Sequence, residues 1–132
     1  MKRIVFGFLL LIGVVSLTGC GNAPNGGSAV YHKVTAQQAK AMMEDGDPYI
    51  LVDVRTESEY QAQRIDGAIL IPVDTIKDRA AAELPDKDAR IFTYCRSGVR
   101  SSTAAHALVD LGYTHVNDMG GIMDWPYDTV SG

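Results

Sequence analysis

The chain contains Ile91-Phe92-Thr93-Tyr94-Cys95-Arg96-Ser97-Gly98-Val99-Arg100, in which an apolar run meets one cysteine, two arginines and a glycine. The apolar run at residues 91–94 predicts a buried strand, and residues 101–111 have the pattern of a helix. A strand that passes through a short loop into a helix turns several backbone N–H groups toward one point, which favours an anion. The segment therefore predicts an anion pocket with Cys95 at its edge.

We interpret Cys95 as a nucleophile, because its neighbours suit a reactive sulfur. The dipole of the following helix and the side chains of Arg96 and Arg100 favour the thiolate form. The alternative is a buried, inert cysteine that ends a strand, which is the commoner role of a lone cysteine. Two arginines and a glycine directly after the cysteine favour the reactive interpretation.

The first 20 residues have the pattern of a secretory signal. Lys2 and Arg3 precede an apolar run at residues 4–15, which is followed by Leu17-Thr18-Gly19-Cys20. These four residues resemble the lipobox of bacterial lipoproteins, in which the cysteine receives a diacylglycerol and becomes the mature N-terminus. We therefore expect a lipoprotein signal peptide at 1–20, lipid attachment at Cys20, and anchoring on the extracytoplasmic face of a bacterial membrane. A cleaved signal with an incidental cysteine is the alternative.

The composition between the signal and the domain predicts a tether. Residues 21–29 are rich in Gly, Asn, Pro and Ser, which is typical of a flexible linker, and the folded domain is expected at 30–132. Loss of Lys2 and Arg3 with the signal leaves 10 of the 12 basic residues against 16 acidic ones, which changes the net charge from −4 to −6. Such a surface does not attract nucleic acid. We expect a monomer that contacts the membrane through its lipid.

Strand and helix patterns alternate through residues 30–132. Strands are predicted at 31–34, 50–54, 68–71, 91–94 and 116–119. Helices are predicted after the capping boxes Thr35/Gln38 and Thr56/Glu59, after a cap at Asp74, at 101–111 before Gly112, and briefly after Gly120-Gly121. This alternation predicts an α/β fold: one domain with a mainly parallel sheet of about five strands and helices on both faces. Ligands bind at the carboxyl ends of such strands, where the Cys95 loop lies.

These motifs together resemble the single-domain rhodaneses, or thiosulfate sulfurtransferases. The segment from Cys95 to Arg100 is similar to the family's Cys-Arg-x-Gly-x-Arg active loop. Supporting matches are Asp53-Val54-Arg55 with Glu59-Tyr60, Ile65-Asp66-Gly67-Ala68 leading to Ile71-Pro72, and Gly120-Gly121 followed by Trp125. One departure is Arg64, which stands where many members have a histidine that is not catalytic.

The resemblance implies a rhodanese domain that catalyses double displacement. Cys95 would take the outer sulfur of thiosulfate as a persulfide and pass it to cyanide or a thiol. The substrate would be bound by the loop residues Arg96, Ser97, Gly98, Val99 and Arg100, and no metal or organic cofactor is required. Asp53 and Arg55 are expected to support the loop as a charge pair rather than to react.

Three alternatives differ in what the loop does. A cysteine phosphatase is disfavoured because its loop is longer by one residue than the four between Cys95 and Arg100. Mercaptopyruvate sulfurtransferases usually lack the two arginines. A module that carries sulfur or binds a partner without turnover stays open, although the cysteine and both arginines favour an enzyme.

Overall fold

The computed structural model describes residues 30–132. The strands are β1 (His32–Lys33), β2 (Ile50–Asp53), β3 (Ile69–Leu70), β4 (Arg90–Cys95) and β5 (His115–Gly121); the helices are α1 (Ala36–Met43), α2 (Glu57–Ala62), α3 (Ile76–Glu83) and α4 (Val99–Asp110). The predicted signal at 1–20, the predicted tether at 21–29 and Cys20 lie outside the described residues.

The five strands form one parallel sheet in the order β1-β5-β4-β2-β3. The prediction of a mainly parallel, five-stranded α/β fold is confirmed. Because β4 lies in the middle of the sheet, Cys95 stands at the carboxyl end of the central strand. This is the edge at which ligands bind in open α/β sheets.

Helices cover both faces of the sheet, as predicted. On one face α3 and α4 pack over a cluster that includes Val52, Ile91 and Val116. On the other face Ala39 of α1 packs with Leu51, Phe92 and other apolar residues. Strands buried on both faces need nearly continuous apolar sequence, which is what β2 and β4 have. Within residues 30–132, no helix has the length and apolar character needed to cross a membrane.

The predicted helix signals are mostly present. Thr35 with Gln38 and Thr56 with Glu59 form capping boxes at the starts of α1 and α2. Gly112, at φ 96°, ends α4. There the N–H of Gly112 donates to the carbonyl of Val109, and the N–H of Tyr113 donates to that of Leu108, in a Schellman motif.

Several boundaries differ from the sequence prediction. The Asp74 cap is wrong: residues Val73–Thr75 form a 3₁₀ turn, and no side chain caps α3. Helix α4 begins at Val99 because the left-handed Gly98 already turns the chain, and β5 extends to Gly121 because it pairs with β4 as far as Cys95. The predicted C-terminal helix is a 3₁₀ turn, Ile122–Asp124.

The buried hydroxyl of Tyr113 connects α3 to the loop after α4. It contacts the carbonyl oxygens of Ala80 at 2.9 Å and Leu84 at 2.6 Å, near the end of α3. We predict that Tyr113→Phe lowers the free energy of unfolding by about 2 kcal/mol, because the change leaves the Leu84 carbonyl without this donor, whereas the Ala80 carbonyl still accepts the N–H of Leu84. Urea denaturation measures this. The exposed Tyr127→Phe is the control and should change stability by less than about 0.5 kcal/mol; equal effects would contradict the prediction.

Candidate active site

The sulfur of Cys95 lies where β4 passes into α4. The side chain is 0% exposed, and the backbone N–H of Gly98 donates to Sγ at 2.9 Å. Gly98 adopts φ 106°, and Val99 and Arg100 are the first two residues of α4. The first N–H groups of a helix have no partner within the helix. The loop therefore places backbone donors around a buried sulfur, which stabilises negative charge on it.

The loop is held against the end of β5. Cys95 is in register with Gly121 after a shift that begins at Thr93. The buried hydroxyl of Ser101 contacts the carbonyl oxygens of Gly98 at 3.0 Å and Gly120 at 3.3 Å. An added Cβ on Gly121 would lie 2.6 Å from the carbonyl carbon of Arg96 and would also overlap its oxygen. Only glycine at 121 lets the loop pack this closely.

Asp53 and Arg55 form a buried ion pair next to the loop. Asp53 pairs with Tyr94 in the sheet register, and it is 0% exposed, whereas Arg55 is 4% exposed. The guanidinium of Arg55 donates to both oxygens of Asp53 and to the carbonyl of Gln63 at 2.5 Å. Burial alone would lower the pKa of Arg55, but the hydrogen bonds and charge of Asp53 outweigh burial and raise it. The expected charge pair is present, and its role in supporting the Cys95 loop stays a prediction.

Glu59 is a site residue that the sequence reasoning missed. Its two carboxylate oxygens accept hydrogen bonds from Arg100 at 2.8 and 2.9 Å. These bonds raise the pKa of Arg100, and the nearby charges of Glu59, Cys95 and Asp53 add to the effect. The capping-box spacing identified Glu59 as a helix-start residue, but no local pattern links it to a partner 41 positions away. The predicted role of Arg100 in binding the substrate stays a prediction.

A cleft of about 490 Å³ adjoins the loop. It is lined by Arg55, Glu59, Arg96, Met123, Trp125 and others. Ser97 and Val99, which the sequence also predicted as substrate-binding residues, line a second cleft of about 520 Å³ together with Gly98. Among the described residues, no cluster of His, Cys, Asp and Glu is arranged to hold a metal ion.

Residues 35–127 match the family model described as a rhodanese-like domain. The chain belongs to the rhodanese-like family. It is 40% identical over 81 residues to the thiosulfate sulfurtransferase PspE of Escherichia coli (strain K12), covering 61% of this chain and 78% of PspE. It is 35% identical over 95 residues to a sulfurtransferase of Allochromatium vinosum, covering 71% and 87% of the two chains. The solved structure of an E. coli rhodanese with anions has a TM-score of 0.61 at 38% identity, covering 64% of this chain and 100% of that one.

In this rhodanese domain, Arg64 connects α2 to the last described residues. Its backbone N–H and carbonyl pair with Val130 at 2.8 Å each, and its guanidinium donates to the carbonyl of Gly132 at 2.6 Å. The guanidinium also lies 4.6 Å from the ring centroid of Tyr60. The guanidinium of Arg64 thus adds a contact with the last described residues beyond the backbone pairing with Val130.

The ion pair between Glu59 and Arg100 should stabilise the fold at neutral pH, and this contribution should be lost in acid. Hydrogen bonds from Arg100 lower the pKa of Glu59 from 4.5 to about 2. A carboxylate whose pKa is lower in the folded state stabilises the fold above its unfolded pKa. The contribution is complete above about pH 4.5 and is lost as the pH falls toward about 2.

We therefore expect the difference in unfolding free energy between the wild type and Glu59→Gln to shrink between neutral pH and about pH 3. Glutamine can keep the capping-box contact with the N–H of Thr56, so the difference reports the loss of the charge and of one oxygen that accepts from Arg100. The comparison with a variant is needed because the pKa of Asp45 is also lowered to about 2, by Arg90. A difference that stays constant over this range would contradict the assignment.

Proposed function

We propose that this chain is a sulfurtransferase that moves a sulfane sulfur from thiosulfate, or a similar donor, to a nucleophilic acceptor such as cyanide or a thiol. The observation that carries the proposal is the position of the Cys95 sulfur. It lies at the carboxyl end of the central strand, accepts the Gly98 N–H at 2.9 Å, and is followed at once by the N-terminus of α4. This environment stabilises a thiolate and, after transfer, the persulfide anion.

The reaction proceeds in two displacements. The Cys95 thiolate attacks the outer sulfur of thiosulfate, a new S–S bond forms, the S–S bond within thiosulfate breaks, and its electron pair leaves on sulfite. The persulfide anion remains on Cys95. The acceptor then attacks the terminal sulfur, and the bond to Sγ breaks with its electron pair returned to the Cys95 thiolate. No net oxidation occurs, so no external oxidant or reductant is needed.

The buried sulfur supports sulfur transfer over phosphate transfer. Phosphate ester hydrolysis needs room for a tetrahedral group inside the loop, with donors around its three oxygens. Here the loop has four residues between Cys95 and Arg100, the N–H of Gly98 already reaches Sγ, and Gly121 packs against the loop from behind. A single terminal sulfur atom fits this space better than a phosphoryl group.

The relatives support the same reaction class. PspE is a thiosulfate sulfurtransferase, and a related E. coli rhodanese contains anions. A sulfur carrier without turnover is the second candidate, because the same persulfide would serve both roles. The presence of both loop arginines favours the enzyme, since a carrier has no need to bind a small anionic donor.

Thiocyanate formation from thiosulfate and cyanide tests the proposal. The full chain should turn over many times per Cys95, and it should not hydrolyse an aryl phosphate. A single stoichiometric release of thiocyanate would favour the carrier, and sustained aryl phosphate hydrolysis would favour the phosphatase. The Cys95→Ala variant supplies the background rate for sustained turnover, for stoichiometric release and for aryl phosphate hydrolysis.

We further propose that Cys20 carries a lipid that holds the domain at the extracytoplasmic face of a bacterial membrane. The support is the order Leu17-Thr18-Gly19-Cys20 directly after the apolar run. Expression in a bacterial host with labelled palmitate should give a labelled, membrane-bound protein, and Cys20→Ser should remove both properties. An unlabelled wild-type protein would overturn this proposal and leave the sulfurtransferase proposal unaffected.

A further inference from the structure

The charged side chains around the cleft are compensated in pairs, with one exception. Asp53 neutralises Arg55, and Glu59 neutralises Arg100 through bidentate contacts. Arg96 lines the same cleft, and within residues 30–132 no ion pair forms on its guanidinium. With three cations and two carboxylates, this group of side chains carries one net positive charge before the Cys95 thiolate is counted. Asp118 and Lys33 lie on the other side of the loop, where they line the second cleft.

The Cys95 thiolate that the proposed reaction requires brings this group to neutral, so the site offers no net attraction for a second negative charge on a donor. Thiosulfate carries two, so its second charge meets a cleft in which a carboxylate, Glu59, forms part of the wall. Glu59 interacts with Arg100 through only two of the five guanidinium N–H groups, so the arginine keeps donors for a ligand. Arg100 can therefore still donate hydrogen bonds to a ligand. The Glu59 carboxylate cancels the charge of Arg100, so the arginine no longer attracts a second negative charge on the donor.

We propose that Glu59 is the specificity-determining residue for the charge of the sulfur donor. It matches the cleft to monoanionic donors of the type R–SO₂–S⁻ and limits the advantage of dianionic thiosulfate. The inference rests on the proposed sulfurtransferase function and names the donor class for that site. The transfer step is the same for both donors: the outer sulfur moves to Cys95, and the electron pair leaves on a sulfinate or on sulfite.

Glu59 also caps α2, so the two roles must be separated. Its carboxylate accepts the backbone N–H of Thr56 at 3.0 Å in the capping box. Glu59→Gln removes the charge and keeps a capping residue, whereas Glu59→Asp keeps the charge on a shorter side chain that fits the box poorly. Glu57→Gln is the matched control, since Glu57 is exposed, lies on the same helix and contacts Gln61.

The kinetic test compares two donors that differ mainly in charge: thiosulfate and methanethiosulfonate, in which a methyl group replaces one oxyanion. The measured quantity is the ratio of kcat/KM for thiosulfate to kcat/KM for methanethiosulfonate. We expect Glu59→Gln to raise this ratio about five- to tenfold at low salt, because a dianion gains more than a monoanion when a carboxylate is removed. The gain should fall as ionic strength rises. Glu57→Gln should keep this ratio within about twofold of the wild-type value, and Glu59→Asp, which retains the charge, should raise it less than Glu59→Gln does.

A binding measurement makes the test independent of turnover. Trp125, the single tryptophan of the chain, lines the cleft. Its fluorescence can follow sulfate and methanesulfonate, which are unreactive analogues of the two charge types. Glu59→Gln should tighten sulfate binding relative to methanesulfonate by the same factor as in the kinetic test.

The outcomes distinguish the two proposals. Unchanged kinetic and binding ratios in Glu59→Gln would overturn the role of Glu59, even if sulfur transfer is normal. Absence of sulfur transfer from either donor in the wild type would overturn the proposed function; the sulfate to methanesulfonate binding ratio would then still decide whether Glu59 sets the charge preference of the cleft.

Discussion

Replacing Cys95 by serine is expected to lower the rate of thiocyanate formation by at least about 1,000-fold, because removal of a covalent nucleophile leaves only binding to assist the reaction. Serine is close in size to cysteine, and its hydroxyl can accept the Gly98 N–H that now donates to Sγ. The substitution therefore removes the proposed nucleophile with little change in the loop. Initial rates at saturating thiosulfate and cyanide measure the effect.

The second cysteine of the chain provides the control for this experiment. Cys20→Ser changes the other cysteine, which lies outside the predicted domain and is proposed to carry lipid, and activity measured in detergent should stay within about twofold of the wild type. Thermal unfolding should show that Cys95→Ser is folded. If Cys95→Ser kept its rate, or if Cys20→Ser lost it, the assignment of Cys95 as the nucleophile would be wrong.

Gly121→Ala adds one methyl group, and among such additions near the site we expect it to lower stability and activity the most. The backbone at Gly121 has φ −109°, which alanine adopts without strain, so the cost comes only from contacts. The new Cβ would lie 2.6 Å from the carbonyl carbon of Arg96 and 2.8 Å from the Cα of Ser97. Both atoms belong to the backbone, so the loop itself must move.

We expect this substitution to lower the free energy of unfolding by about 3 kcal/mol, near the upper end of the usual cost of overpacking. A displaced loop should also lower kcat by about 100-fold, since a shift of about 1 Å misaligns the donors around the sulfur. Gly67→Ala is the matched control. Gly67 has φ 83° but no atom within 4 Å of an added Cβ, so it should lose only about 1 kcal/mol and keep its activity. A loss in Gly121→Ala no larger than that in Gly67→Ala would show that the loop accommodates the added methyl group, and it would contradict the packing argument.

The fold could be predicted from the sequence because the signals for its strands and helices are local. The apolar runs that became β2 and β4, the capping boxes at Thr35 and Thr56, and Gly112 after α4 each depend on residues a few positions apart. Where the prediction was wrong, the competing effect was tertiary. The chain near Asp74 turns in a 3₁₀ conformation before α3, and β5 runs on to Gly121 because β4 offers it a partner there.

Only part of the site could be predicted from the sequence, because only that part has local signals. The loop from Cys95 to Arg100 is contiguous, so its sequence carries its own signal. The ion pair between Glu59 and Arg100 joins α2 to α4, and the contact between Gly121 and the loop joins β5 to the chain after β4. Such pairings depend on the arrangement of the sheet, and a single sequence contains no local pattern for them. The ion pair compensates the charge of Arg100 in the loop, and Gly121 lets the loop pack closely against β5.

The most direct test of the central claim is the mass of the protein after reaction with thiosulfate alone. The full chain, treated with thiosulfate, freed of excess reagent and digested under conditions that preserve persulfides, should yield a peptide containing Cys95 with the added mass of one sulfur atom. Addition of cyanide should remove that mass and release one equivalent of thiocyanate. An unmodified Cys95 peptide in protein that nevertheless makes thiocyanate would contradict the persulfide account.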